Sequence, residues 1–469
     1  MRQLAGPLAL HAGFFSAGYG LLATFGVLRD ATLARWAAVG GLAYVCGVIG
    51  VVSVTIVLLV AGVPLTMEGT GVVIAMLAAP LVVVLLRARP ALRPPPRPSG
   101  AEAWIAVSLV GAFALVFLFG LPSVGLRPLD GFDAWNLWAR KANLLFWDGE
   151  LPSALFRGEP YARVHSDYPY LLPTYEALHL RSLGRFDPRA FHLPLWLLLG
   201  AFVWAAGLLA SRVTRPAVWA PLVTGAAILS IPGLLTAYAD VPLAYLLALA
   251  ALSAGLWIER RMPADLAVAA TLLAGCAAMK NEGLVGAAVI VVAAAGALAM
   301  ARRRREVLLT GVAGAAVLVV AVIPWRVWLA ANDLHGDLAV GQSVDPAFLA
   351  SRLDRLGPSL EALHGQLITR GPLASLVPLA LALAALAWRS RRLRPLAGFY
   401  VAVGALYFAS LAWAYWISPL PLQFHLETSV ARIAVGVMFL GLAAVLHLGG
   451  TGFLPPAAAD GQAGDEVTS

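Results

Sequence analysis

Three charged side chains in one polar stretch define the chemistry this chain could carry out. Asp133 lies in GFDAWNLWARKA, Lys141 follows in the same segment, and Asp167 lies in HSDYPY. A carboxylate beside an acceptor hydroxyl can remove its proton as a general base. A lysine ammonium is a compact point charge of the kind that suits a phosphate. Asp133 stands ahead of a run with helical spacing, so capping that helix is a second reading of its carboxylate, and Asp130 is then the nearest substitute base. Lys141 and Lys280 are the only lysines among 33 basic residues, the rest being arginine. A need for point charge and chance usage both account for that. His165 and Asp167 could supply two metal ligands, but no third stands near, so Asp167 reads first as a second active-site carboxylate and His165 as a loop hydrogen-bonder.

Other polar residues fall at the edges of apolar stretches. Asp240, in TAYADVPLAY, precedes Val241 and Pro242 in a helix-capping pattern. MKNEG puts Lys280, Asn281 and Glu282 between two apolar runs, where polar groups are costly and mark function, although Lys280 and Glu282 can also pair with each other. HLETSVARI brings His425, Glu427 and Arg432 to the start of the last apolar run. Arg432 sits about one turn inside it, and needs a phosphate or a carboxylate as partner.

The elements that must position these groups are membrane helices. Hydrophobic residues make up 60% of the chain and charged residues 12%, against about 25% charged in soluble domains. Thirteen stretches are long enough for helical spans, whereas barrel strands would be short and alternating. They cover 5–27, 36–61, 67–86, 103–121, 191–210, 217–236, 240–257, 265–281, 283–301, 307–329, 371–388, 396–416 and 430–449. The expected fold is therefore an all-α polytopic membrane protein of about thirteen transmembrane helices, the first retained rather than cleaved as a signal. Cys46 and Cys276 fall inside spans and read as small hydrophobes.

Arginine-rich loops around Arg35, Arg87, Arg212, Arg260, Arg302 and Arg389 fall on one side, which the positive-inside rule makes cytoplasmic. The net charge of +8 is thus mostly topology, and no nucleic-acid partner is expected. Loops 122–190 and 330–370 then face outward. In the first, Trp135 and Trp138 recur at helical spacing and are expected at headgroup level, with Arg140 and Lys141 turned to lipid phosphates or a ligand. In the second, an amphipathic stretch near 346–368 is expected to form a lid. The chain divides into a three-helix unit (1–86), a Pro/Arg-rich linker (87–102), a larger core (103–449) and a disordered tail (450–469).

These motifs in topological order give the chain a family resemblance. Over residues 101 to 449 it resembles the GT-C glycosyltransferases, the membrane class that includes protein O-mannosyltransferases and the aminoarabinose transferase acting on lipid A. Asp133 matches the acidic residue of the first outer loop, and Asp167, Tyr168 and Pro169 match the second motif of that loop. YADVPLA, MKNEG and HLETSVAR are similar to stretches in bacterial members. Many members carry two adjacent acids at the first motif, whereas here Ala134 follows Asp133.

The resemblance implies an inverting transfer from a polyprenyl-phosphate sugar to a hydroxyl on a lipid, protein or glycan, at the outer face of a bacterial inner membrane. Asp133 would be the base and Asp167 a second catalytic carboxylate. Lys141, Lys280 and Arg432 would hold the lipid phosphate, with Asp130, Arg140, His165, Tyr168, Asp240, Glu282 and His425 as further site residues. A base and two cations suffice without a metal, and a divalent metal stays open. Two other functions fit the composition: a transporter or flippase of lipid-linked sugar, and a polysaccharide ligase or polymerase working through Arg352, Arg355 and Arg370.

Overall fold

A computed structural model describes residues 2–28, 32–87, 100–151, 165–336, 341 and 345–453. Each of the thirteen expected apolar stretches is a helix, and no strand occurs among the described residues. Among the described residues, ten helices are long and apolar enough to cross a membrane. Pro263–Met279 and Leu376–Trp388 are shorter apolar helices, and Arg2–Thr24 is the thirteenth. The protein is an all-α, multi-pass membrane protein. The linker between 88 and 99 and the tail beyond 453 lie outside the described residues.

Local sequence explains the helix ends. Pro216 and Pro263 occupy first helical positions, where a missing N–H leaves no donor unsatisfied. Gly184 ends the Leu171–Leu183 helix with φ +71°, a conformation in which a Cβ would be strained. Between Pro263–Met279 and Asn281–Met300 the chain leaves helix for a single extended residue, Lys280.

Small residues let the first helices approach closely. A Cβ on Gly18 would lie 1.7 Å from the carbonyl oxygen of Ala43, and one on Gly47 1.8 Å from that of Phe14. Backbone contact of this kind is how apolar helices associate where lipid removes the hydrophobic drive. The Gly40–Val60 helix also packs on His192–Ala210 and Leu171–Leu183, so the N-terminal unit is continuous with the rest of the core.

Asp240–Arg260 is the central helix, and its most apolar 18-residue window is wholly buried. By contrast, Met67–Arg87 and Ala101–Leu126 have only 11% of the corresponding window buried, and present apolar side chains outward. The central helix separates two polar ends about 30 Å apart at 1.5 Å per residue. At one, Arg212 and Arg260 meet Asp265, Arg215 meets Glu102, and His447 meets Glu259. The other carries Asp240 and the two loops.

Candidate active site

The first loop is built around a buried cation. Ala134–Ala139 forms a π-helical turn that runs into the Arg140–Trp147 helix, and Lys141 within it is 0% exposed. Its ammonium donates to the carbonyl of His165 at 2.6 Å and lies 5.8 Å and 5.4 Å from the ring centres of Tyr168 and Tyr170. His165 has φ +45°, and its ring stacks on Tyr168 at 4.7 Å. Trp325, from the far end of the Arg304–Ala331 span, donates its indole N–H to the carbonyl of Asp167 at 2.9 Å. HSDYPY is thereby wrapped around Lys141 and pinned from outside.

Lys141 was expected beside Lys280 and Arg432 on a phosphate. It lies instead inside the loop, because the aromatic rings and the His165 carbonyl enclose it. Trp138 departs in the same way: only 2% exposed, it packs inward, while Trp135 at 44% exposed keeps the outward position. Arg140 is partly exposed.

Asp133 does not cap the turn it precedes, for its side chain makes no capping bond. Its Oδ2 accepts from Arg432 Nη1 at 2.6 Å. Arg432 therefore has the carboxylate partner that its depth requires. Asp130 is drawn away to Arg127 at 2.9 Å, an exposed pair worth little in stability.

Asp240 is likewise no simple cap. It begins its helix and accepts from Lys280 at 2.9 Å, while Glu282 reaches the same ammonium at 3.0 Å. Burial alone would lower the Lys280 ammonium, and the Asp240 and Glu282 carboxylates reverse that, holding it well above the ordinary lysine value. Asp240, Lys280, Glu282 and Arg432 line one pocket, floored by Leu243, Tyr407, Ile433 and Gly436.

Asp167 joins this group through a residue outside the expected set. Asn281 Nδ2 donates to Asp167 Oδ2 at 2.6 Å, and Asn281 Oδ1 accepts from Arg326 at 2.9 Å. Burial, followed by the Glu282 charge, raises the Tyr168 phenol well above its usual value, so Tyr168 stays protonated. The start of the second loop closes over Asp167, where a Cβ on Gly336 would come within 2.7 Å of Oδ2. Further along that loop, the Leu356–Gly365 helix packs on the Arg394–Ile417 and Leu422–Phe453 helices. Arg352 and Arg355 donate to the carbonyls of Ser418 and Leu420.

Four buried polar atoms around these groups have no hydrogen-bond partner among the described residues: Asp167 Oδ1, Glu282 Oε2, Arg432 Nε and His425 Nδ1. The His425 ring meets Tyr415 edge-on at 4.7 Å. Carboxylate oxygens accept and a guanidinium N–H donates, so the arrangement offers sites of both kinds. It does not offer a metal cage. Among the described residues no three His, Cys, Asp or Glu side chains group as ligands, and His165 and Asp167 diverge, one to Tyr168 and the other to Asn281.

Sequence reasoning passed over Arg326, Trp325 and Tyr238 as site residues. Arg326 carried a usable signal, since it is an arginine inside an apolar run. Comparison with protein-family models, with curated proteins and with solved structures gave no match.

Proposed function

We propose that this chain is an inverting membrane glycosyltransferase that moves a sugar from a polyprenyl phosphate to an acceptor hydroxyl. The observation that carries this reading is the gathering, at one polar end of the bundle, of Asp133 with Arg432 and of Asp167 with Glu282 and Lys280. Unsatisfied donors and acceptors stand among them. A hydroxyl-rich ring joined to a phosphate needs both kinds of partner. Asp133 would accept the proton of the attacking hydroxyl while the acceptor oxygen bonds to the anomeric carbon and the carbon–phosphate oxygen bond breaks. Arg432 and Lys280 would take up the charge on the departing lipid phosphate. Lys141 would hold the loop that carries Asp167.

On this reading the site faces outward from the cytoplasmic membrane of a bacterium, where the donor headgroup and the acceptor would meet, and the basic-loop pattern supports that orientation.

Two observations favour this over the alternatives. A transporter needs a polar route past its substrate site. Here the pocket has an aromatic and aliphatic floor, and the neighbouring cavity is lined by residues such as Val45, Ile49, Phe202 and Leu246. A ligase working through the second loop needs free arginines, and two of its three candidates, Arg352 and Arg355, are engaged with the Ser418–Leu420 backbone.

The test is incubation of purified protein with a panel of polyprenyl-phosphate sugars and hydroxyl acceptors, with lipid phosphate release followed by mass spectrometry. Acceptor-dependent release supports the reading, and absence of release across the panel rejects it.

A further inference from the structure

Arg432 has two tasks in the proposed reaction, and they conflict. Its guanidinium sits on Asp133 at 2.6 Å, yet a base engaged by an arginine must be released before it can take a proton. Arg432 must then move to phosphate without being lost to solvent. A residue is needed that holds the guanidinium through the exchange.

Tyr238 occupies that position. Its ring lies under the Arg432 guanidinium, 4.6 Å from carbon to ring centre, and its hydroxyl accepts from the backbone N–H of Asp133 at 3.4 Å. One side chain thus touches both members of the pair. The face of an aromatic ring attracts a cation whatever direction the guanidinium edge points, so rotation in the plane keeps the contact. Arg432 Nε is buried and has no partner among the described residues, so a donor is left for an incoming oxygen.

The backbone around this tyrosine is shaped to deliver it. Ala237, buried between two spans, has φ +58°, a left-handed conformation that costs any residue with a Cβ and persists only where its surroundings impose it. That turn projects Tyr238 from the link between Pro216–Leu234 and Asp240–Arg260. On the opposite side, a Cβ at position 131 would stand 2.8 Å from the Tyr238 ring, so only Gly131 lets the Asp133 segment come so close. Burial raises the Tyr238 phenol above its ordinary value, which keeps its hydroxyl protonated.

We infer that Tyr238 is a positioning residue that holds Arg432 while the guanidinium passes from Asp133 to the phosphate of the donor. The inference rests on the glycosyltransferase reading, and it orders the reaction: donor phosphate arrives first, and Asp133 becomes available as a consequence. A hydroxyl acceptor alone would meet an engaged base.

The test measures binding of a synthetic polyprenyl phosphate in detergent micelles alongside sugar transfer. Tyr238→Leu is expected to weaken phosphate binding about tenfold, and Tyr238→Phe, which keeps the ring, to leave it within about twofold. Tyr238→Phe should instead lower kcat, because the tether to the Asp133 backbone is gone. Tyr238→Trp, which keeps a ring if Leu prevents folding, should retain binding. Tyr238→Leu should add no further loss in an Arg432→Met background. Wild-type binding and turnover in Tyr238→Leu, or additive losses with Arg432→Met, overturn the inference. A wild-type protein that binds the lipid phosphate but transfers no sugar overturns the glycosyltransferase reading alone.

Discussion

Arg432 and Asp133 lie 299 positions apart in the chain and meet at 2.6 Å. The contact joins the interior of the last helix, Leu422–Phe453, to the polar turn that follows Ala101–Leu126, and so fixes where the first loop stands. It also means that each partner is held by the other until a ligand intervenes.

Replacing Asp133 by Asn separates those effects. Transfer is expected to fall by about 10²- to 10⁴-fold, the usual contribution of a general base. Binding of polyprenyl phosphate should tighten, because Arg432 loses its competing carboxylate. Parallel transfer and lipid-binding assays check both, and full transfer in the variant would remove Asp133 from the role.

Lys280 holds two carboxylates in a buried setting, so its loss should be felt in stability. Lys280→Met leaves Asp240 and Glu282 without their common cation, a change that costs about 3–5 kcal/mol in buried pairs. A lowered Tm in detergent is the expected result. Adding Asp240→Asn should restore part of it, and a double-mutant cycle that shows simple additivity would refute the coupling.

Asn281 transmits position from Arg326 to Asp167. Asn281→Asp sets a carboxylate against a carboxylate and should lower kcat by about 10- to 100-fold through displacement of Asp167. Affinity for polyprenyl phosphate should change little. An unchanged kcat would place Asp167 outside the reaction.

Glu176 gives a pH signature apart from the site. It is 1% exposed, and neither carboxylate oxygen has a partner among the described residues. Burial raises its carboxyl well above the ordinary value of 4.5. The folded state therefore holds a proton that the unfolded chain releases. Its contribution to stability is complete below pH 4.5 and is lost as pH rises toward the folded value. Wild-type Tm should fall over that interval, and Glu176→Gln should flatten the dependence and raise Tm at neutral pH. An equal slope in both proteins would contradict the assignment.

The helices were legible because an apolar run of about 20 residues has few alternatives to a span. Asp133, Asp240, Lys280, Glu282 and Arg432 were legible because charge beside hydrocarbon stands out. Their pairing was not. Asp240 looked like a helix cap because sequence shows Val241 and Pro242 after it, but not Lys280 arriving from 40 residues away. Lys141 misled for a related reason: a lone lysine between tryptophans reads as exposed, until the rings of Tyr168 and Tyr170 fold over it. Tyr238 gave no signal, since a tyrosine near a span end is ordinary at a membrane interface.

The Asp240–Arg260 helix has its most apolar window wholly enclosed by protein. Its length of about 30 Å matches a bilayer's hydrocarbon thickness, so it acts as a depth gauge. With Glu259 near one surface, Asp240 would be held at the other, and on the proposed reading the pocket would lie at the depth of a phosphate headgroup. A donor could then present its sugar without lifting its hydrocarbon chain out of the lipid, leaving depth to the helix and choice of partner to the loops.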